Sequence, residues 1–306
     1  MSIRMVFFGS PEFALPTLDV IHQRYQIVGV ITQPDRPAGR GKQLTPPPVK
    51  VRAKEYGIPV FQPNRLKDSG VIEQLYAWDA DVYVVAAFGH IFRQNVLDIP
   101  KFGLINVHGS LLPRWRGAAP IQAAILAGDR STGVTIMKID AGIDTGDMLA
   151  RLDTDIKPGE TAGELSSRLA VLGAELLIDT LPGYLNGSIL PVPQSNEGAT
   201  YAGMINKEEA LLDINHPAEV LHRHVMAFNP WPIARVEIDG VTILLHRTHI
   251  ANINAGKPGL KLIFQHLPAI STGNGLLMLD ELQLPGKKVI NGKAFLAGNR
   301  NWGRII

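Results

Sequence analysis

The sequence predicts an α/β protein in which a mostly parallel sheet domain is followed by a small C-terminal β-barrel. Three observations carry this expectation. Short β-rich apolar runs alternate with helical patterns through about the first 180 residues, the pattern of βαβ units. Beyond Gly187 the long helical runs stop, and short alternating strands separated by Gly, Asn and Pro take over. The chain of 306 residues is 45% apolar and 19% charged, enough for two buried cores.

Taken in chain order, the expected strands of the first domain are "IRMVFF", "QIVGVIT", "DVYVVAAF", "LINV" and "GVTIMKI". All are nearly continuous apolar runs, as strands covered on both faces must be. Helices are expected at "PEFALPTLDVIHQR", "SGVIEQLYAW", "APIQAAILAG" and "AGELSSRLAVLGAELLIDTL". In the first of these Ser10 has the character of an N-cap and Pro11 of the first helical residue. The expected boundaries are a sheet domain over 1–187, a linker over 188–206 and a C-terminal domain over 207–306. The linker is marked by Pro191, Pro193, Ser195, Asn196 and Gly198. A helix is expected at "PAEVLHRHVMAF", where Val220, Leu221, Val225 and Phe228 share a face, and strands from "ARVEIDGVTILLHRTHI" to "GLLMLDELQLP".

One loop departs from this regularity. Between Gln33 and Lys54 stand six basic residues, Arg36, Arg40, Lys42, Lys50, Arg52 and Lys54, against the single acid Asp35. Its Pro and Gly content excludes a continuous helix or strand in the first half and suggests a segment unordered before a partner binds. A second acid-free cluster, Lys287, Lys288, Lys293, Arg300 and Arg304, lies between Gly286 and Ile306. The overall charge of +2 is only mildly basic, so it is the clustering that points to a phosphate-rich partner.

Other classes are excluded. With no cysteine, disulfides, thiolate zinc sites and cysteine nucleophiles are impossible. No apolar run approaches the ~18 residues of a membrane span, and the N-terminal run Met5–Phe8 is too short for a signal-peptide core, so a cytoplasmic protein without membrane contact is expected. The first βα turn, "FFGSPEFA", lacks the G-x-G-x-x-G of a dinucleotide site, and no P-loop is present.

The chemistry concentrates in "LINVHGSLLPRWRG". In a strand of period two, Asn106 and His108 share a face at the carboxyl end, where ligands of open α/β sheets bind. An amide donor and an imidazole facing one point suit attack on a carbonyl carbon, one stabilising the oxyanion and the other handling a proton. "KIDAGIDTGDM" offers Asp140, Asp144 and Asp147 after another strand. The Ca²⁺-loop pattern is absent, so no metal is expected; an aspartate beside His108 would orient the ring, and Asp140 and Asp147 read as turn caps. Arg114 and Arg116 either brace the turn or face a partner.

Asn106, His108 and an aspartate, followed by "SLLPRWRGAAP", resemble the 10-formyltetrahydrofolate-dependent formyltransferases almost continuously from Gly103 to Asp147. The loop "QPDRPAGRGKQLTPPPVK" and the later "AFNPWP" are similar to the branch of that family acting on charged initiator tRNA. The resemblance implies a Rossmann-like catalytic domain, an OB-fold-like C-terminal barrel that helps hold tRNA, and transfer of a formyl group from 10-formyltetrahydrofolate to the α-amino group of methionine on initiator methionyl-tRNA. The matching catalytic positions are Asn106, His108 and Asp144; which group is the formal base stays open. It implies folate contacts around Ser110, Leu111, Leu112 and Pro113, and tRNA contacts at Arg36, Arg40, Lys42, Lys287 and Lys288. The chain departs from related enzymes at Leu211 and Ile214, where a basic residue and a tryptophan are common. Without a coiled-coil pattern or a large apolar seam, a monomer is expected.

Overall fold

The computed structural model describes residues 3–38, 41 and 43–305. Arg40 and Lys42, both expected to touch tRNA, lie outside the described residues. In chain order the elements are β1 Arg4–Gly9, α1 Leu15–Arg24, β2 Gln26–Ile31, β3 Arg36–Ala38, β4 Gln43–Thr45, α2 Pro48–Glu55, β5 Val60–Phe61, α3 Ser69–Trp78, β6 Val82–Ala86, α4 Gln94–Leu97, β7 Leu104–His108, β8 Arg116–Gly117, α5 Pro120–Ala127, β9 Ser131–Lys138, β10 Met148–Asp155 and α6 Ala162–Leu185. There follow β11 Tyr201–Ala202, α7 Ala218–Ala227, β12 Ala234–Ile238, β13 Val241–Ala251, β14 Lys261–Phe264, β15 Leu267–Ser271, β16 Leu276–Gln283, β17 Ile290–Asn291, α8 Gly292–Gly298 and β18 Arg304–Ile305.

The chain divides into two compact units. One contains residues 1–120, 132–154 and 166–202, the other 121–131, 155–165 and 203–306. The boundaries expected from sequence were contiguous, whereas these units interleave. Residues 191–202 join the first unit: Val192 bridges to Met148, and β11 pairs with β8 in parallel.

The first unit is built on a seven-stranded sheet of order β10-β9-β7-β6-β1-β2-β5. Its inner pairs, β1 with β2 and β6, β2 with β5, and β6 with β7, are parallel. β9 runs antiparallel to β7, so the expected parallel sheet has a reversed edge. The apolar runs are continuous because successive residues enter different cores. Met5 and Phe7 pack with Val84, Ile105, Val107 and the α1 residues Leu18 and Ile21. Val6 and Phe8 pack on the other face with Tyr83, Val85, Leu104 and the α3 residues Val71 and Leu75. At Gly29 of β2 an added Cβ would sit 2.4 Å from the Trp78 ring, so this strand requires glycine there.

Local differences from expectation have local causes. The first helix begins as a 3₁₀ turn at Glu12–Ala14, and α1 starts only at Leu15, next to Pro16. Ser10 does not cap it; its hydroxyl instead accepts from Gln33 N at 3.1 Å and from Thr32 Oγ1 at 3.2 Å. The basic loop holds a short ribbon, β3 with β4 in antiparallel register from Arg36–Thr45 to Ala38–Gln43, and its second half winds into α2. β10 was missed because Arg151, Asp153 and Asp155 interrupt its pattern; it is a mostly solvent-facing edge strand.

The second unit carries a mostly antiparallel sheet of order β12-β13-β16-β15-β14-β18, with β17 on β16. Ile243 and Leu245 of β13 point inward; register shifts around Arg247 then turn Thr248 inward as well. His222 of α7 meets Thr248 Oγ1 there at 3.0 Å, and burial pushes the His222 imidazole below its ordinary range. Leu221, Val225 and Phe228 are buried as expected, while Val220 is half-exposed.

Candidate active site

Alternation along β7 builds the site. Ile105 and Val107 belong to the core under α1 and α6, so Asn106 and His108 face the opposite side, at the carboxyl end of the parallel strands. Asn106 pairs across the sheet with Val85 and Met137, and His108 with Thr135. Both side chains are nearly buried, at 9% and 5% exposure. Yet the Asn106 amide makes no hydrogen bond to protein among the described residues. Because this amide is not among the fully buried polar atoms left without a partner, it stands open to whatever binds at the strand end.

His108 is bonded on one side and faced by a carboxylate on the other. Its Nε2 lies 3.0 Å from the Trp115 carbonyl, which only accepts, so Nε2 carries the proton and Nδ1 turns toward Asp144. The Asp144 Oδ2 is 3.7 Å from Nδ1, longer than a hydrogen bond, so the carboxylate faces this ring edge without bonding to it. The same oxygen accepts from Gly117 N at 2.8 Å. Gly117 has φ +111, and an added Cβ would meet the Ala202 carbonyl at 2.5 Å, so only glycine presents its N–H to Asp144 in this way. Asp140 caps its turn, accepting from Gly142 N at 3.0 Å and from Thr145 Oγ1 at 2.8 Å. Among the described residues no group of His and acids could hold a metal ion.

The Ser110–Pro113 turn sits beside this pair. Ser110 and Leu112 are fully buried, while Leu111 and Pro113 are partly accessible. The Ser110 hydroxyl is committed to the turn, donating to Arg114 O at 2.6 Å. Thr135 Oγ1 donates to Ser110 O at 2.7 Å and accepts from Leu112 N at 3.1 Å, and Arg151 Nη1 reaches Leu112 O at 3.0 Å. The two arginines of the opening motif separate. Arg116 is buried at 2% exposure, its Nη2 donating to Gln194 Oε1 at 3.0 Å, whereas the Arg114 guanidinium lies over the Trp115 ring at 4.3 Å.

Sequence reasoning missed Thr135, Gln194 and a second feature of the same sheet edge. A cleft of about 320 Å³ is lined by Arg65, Leu66, Lys67, His90, Ile91 and Arg93, from the loops after β5 and β6. None of its three cations has an ion pair among the described residues. Burial, and then Arg36, push the His90 imidazole below its ordinary range. The signal for the cleft was present as basic residues in loops following strands; the contacts of Thr135 and Gln194 left no trace in local pattern. Of the expected tRNA contacts, Arg36, Lys287 and Lys288 are exposed and make no ion pair among the described residues.

Residues 3–181 match the family model "Formyl transferase" and residues 204–300 match "Formyl transferase, C-terminal domain", and the chain belongs to the formyl transferase family. Its relatives narrow this further: the methionyl-tRNA formyltransferase of Halorhodospira halophila is 47% identical over 98% of this chain and 97% of its own. That of Hydrogenovibrio crunogenus is 43% identical over 99% of this chain and 98% of its own. Among solved structures, the methionyl-tRNA formyltransferase from Clostridium thermocellum shares the fold at a TM-score of 0.57 and 15% identity, over 95% of this chain and all of that one. HypX from Aquifex aeolicus in complex with tetrahydrofolic acid matches at TM-score 0.68 and 15% identity; this chain is covered in full but spans only 49% of that chain.

Proposed function

We propose that this chain transfers the formyl group of 10-formyltetrahydrofolate to the α-amino group of methionine on initiator methionyl-tRNA. The relatives named methionyl-tRNA formyltransferase support the reaction, and HypX with tetrahydrofolic acid supports a folate on this fold. The observation that carries the site is Asn106 and His108 on one face at the end of β7, with Asp144 beside the imidazole.

Asn106 donates to the formyl oxygen as it gains negative charge, and a donor of this kind is worth on the order of 10²–10³ in rate. His108, held by Trp115 O, presents Nδ1 on the Asp144 side, where a proton from the attacking amine is taken directly or through water as the new C–N bond forms; the C–N10 bond of the folate then breaks and N10 leaves with that proton. Asp144 fixes the ring and compensates the charge that develops on it. Leu111 and Pro113 supply an apolar wall for the folate, with Ser110 and Leu112 supporting it from within. Arg36, Arg40 and Lys42 in the basic loop, with Lys287 and Lys288 in the second unit, bind tRNA phosphates, which makes affinity fall steeply with salt. The protein acts as a cytoplasmic monomer; among the described residues no helix is long and apolar enough to cross a membrane.

The test is formyl transfer from 10-formyltetrahydrofolate to methionyl initiator tRNA, beside uncharged tRNA, glycinamide ribonucleotide and an amino-sugar nucleotide. Transfer to the charged tRNA alone is expected. Transfer only to a small acceptor would keep the chemistry and overturn the RNA reading.

A further inference from the structure

The backbone of Asp144 is held by more than its own loop. At φ +51 it occupies a conformation that a residue with a side chain adopts only where surroundings impose it, and the preceding Ala141, Gly142 and Ile143 are exposed. What imposes it is a side chain 50 residues away: Gln194 Nε2 donates to Asp144 O at 2.9 Å and to Gly146 O at 2.7 Å. The other end of the same amide is also engaged. Gln194 Oε1 accepts from Arg116 Nε at 3.1 Å and Nη2 at 3.0 Å.

Arg116 is an unusual residue to find there. It is 2% exposed, and its guanidinium faces no carboxylate within ion-pair distance among the described residues. Its other partners are neutral, including the Ser195 carbonyl and the Tyr201 hydroxyl, each at 3.4 Å. A buried cation without a counter-ion is costly, and a packed apolar side chain would brace a turn at lower cost. The backbone around it supplies the reason for its position. Trp115 O receives His108 Nε2, and Gly117 N donates to the Asp144 carboxylate, so residues 115–117 touch both members of the pair. The Arg116–Gln194 connection adds a third hold, on the Asp144 carbonyl.

We infer that Arg116 and Gln194 are positioning residues for the transfer: together they set the separation between Asp144 and His108. The inference rests on the reading above that Asp144 acts with His108. Neither side chain touches the reacting atoms in this role, so their removal lowers turnover while leaving donor binding, which belongs to the Ser110–Pro113 turn, in place.

The experiment compares Gln194→Leu, Gln194→Glu, Arg116→Lys and Asp144→Asn by kcat, KM for 10-formyltetrahydrofolate and thermal midpoint. Gln194→Glu keeps acceptors for Arg116 but loses both donors to the Asp144 loop, which separates positioning from stability. Both Gln194 variants are expected to lose roughly 10–100-fold in kcat, the scale of a catalytic group displaced by about 1 Å, with the donor KM within about twofold. Gln194→Glu should do so with a near-wild-type midpoint. Turnover within about twofold of wild type in both Gln194 variants, or a rise in KM at unchanged kcat, overturns the inference. If Asp144→Asn itself retains full turnover, the failure lies with the role of Asp144; if it is slow while the Gln194 variants are fast, only the positioning role is lost.

Discussion

Thr135→Val tests whether the turn beside His108 and Asp144 is held by a single hydroxyl. Thr135 is fully buried, and its Oγ1 serves two backbone groups, donating to Ser110 O at 2.7 Å and accepting from Leu112 N at 3.1 Å. Valine has nearly the same shape, so no cavity is created. Both backbone groups lose this partner in a place water does not reach. At ~1–3 kcal/mol for each buried polar group left unpaired, the variant should be destabilised by roughly 2–6 kcal/mol. With about 2–4 °C per kcal/mol for a unit of this size, a loss of about 3 kcal/mol lowers Tm by roughly 6–12 °C. Thr135→Ser is the control: it keeps the hydroxyl and loses one methyl, about 1 kcal/mol. Urea unfolding of both variants, with the donor KM measured in parallel, provides the assay, and KM should rise for Val but not for Ser because Leu111 and Pro113 depend on this turn. If Thr135→Val is as stable as wild type, or if Ser costs as much as Val, the turn is held by packing and the reasoning is wrong.

Asn106→Ala and His108→Ala should each lower kcat by at least about 10² without moving the thermal midpoint by more than a few degrees, as single-turnover formylation would report. Arg40→Ala should weaken tRNA formylation more than Lys293→Ala and reduce its salt dependence; equal effects would remove the special place of the loop. Burial and Arg36 hold His90 below its ordinary value of 6.5, so the folded state takes up its proton later than the unfolded chain. Its contribution is therefore fully present above about pH 6.5 and is lost as the pH falls toward the lowered value, and His90→Asn should flatten the stability curve in that window.

Much of the architecture was legible because it depends on patterns local to the chain. Strands β1, β2, β6 and β7 announced themselves as uninterrupted apolar runs, which follows from alternate residues such as Phe7 and Phe8 entering different cores. β10 was illegible for the complementary reason: an edge strand facing solvent carries charges and loses its pattern. Asn106 and His108 were legible as a pair, since the two-residue period of a strand places them on one face whatever the rest of the fold does. The neighbouring arginines were not separable, because burial of Arg116 arises from residues about 80 positions later.

By itself, then, the sequence determined the order of the main strands and helices, the parallel core, the face on which the amide and imidazole stand, and the formyltransferase resemblance, all of which rest on periodicity or on contiguous motifs. Only the tertiary structure decided how far Asp144 stands from His108, that the Gly117 N–H holds it, that Ser110 turns inward, and that residues 191–202 pack onto the first unit. These are contacts between segments distant in sequence, such as Gln194 with Asp144 and Gly146. A polar side chain carries no local record of the partner it will meet, because a single directed hydrogen bond, unlike a buried face, leaves no period in the chain.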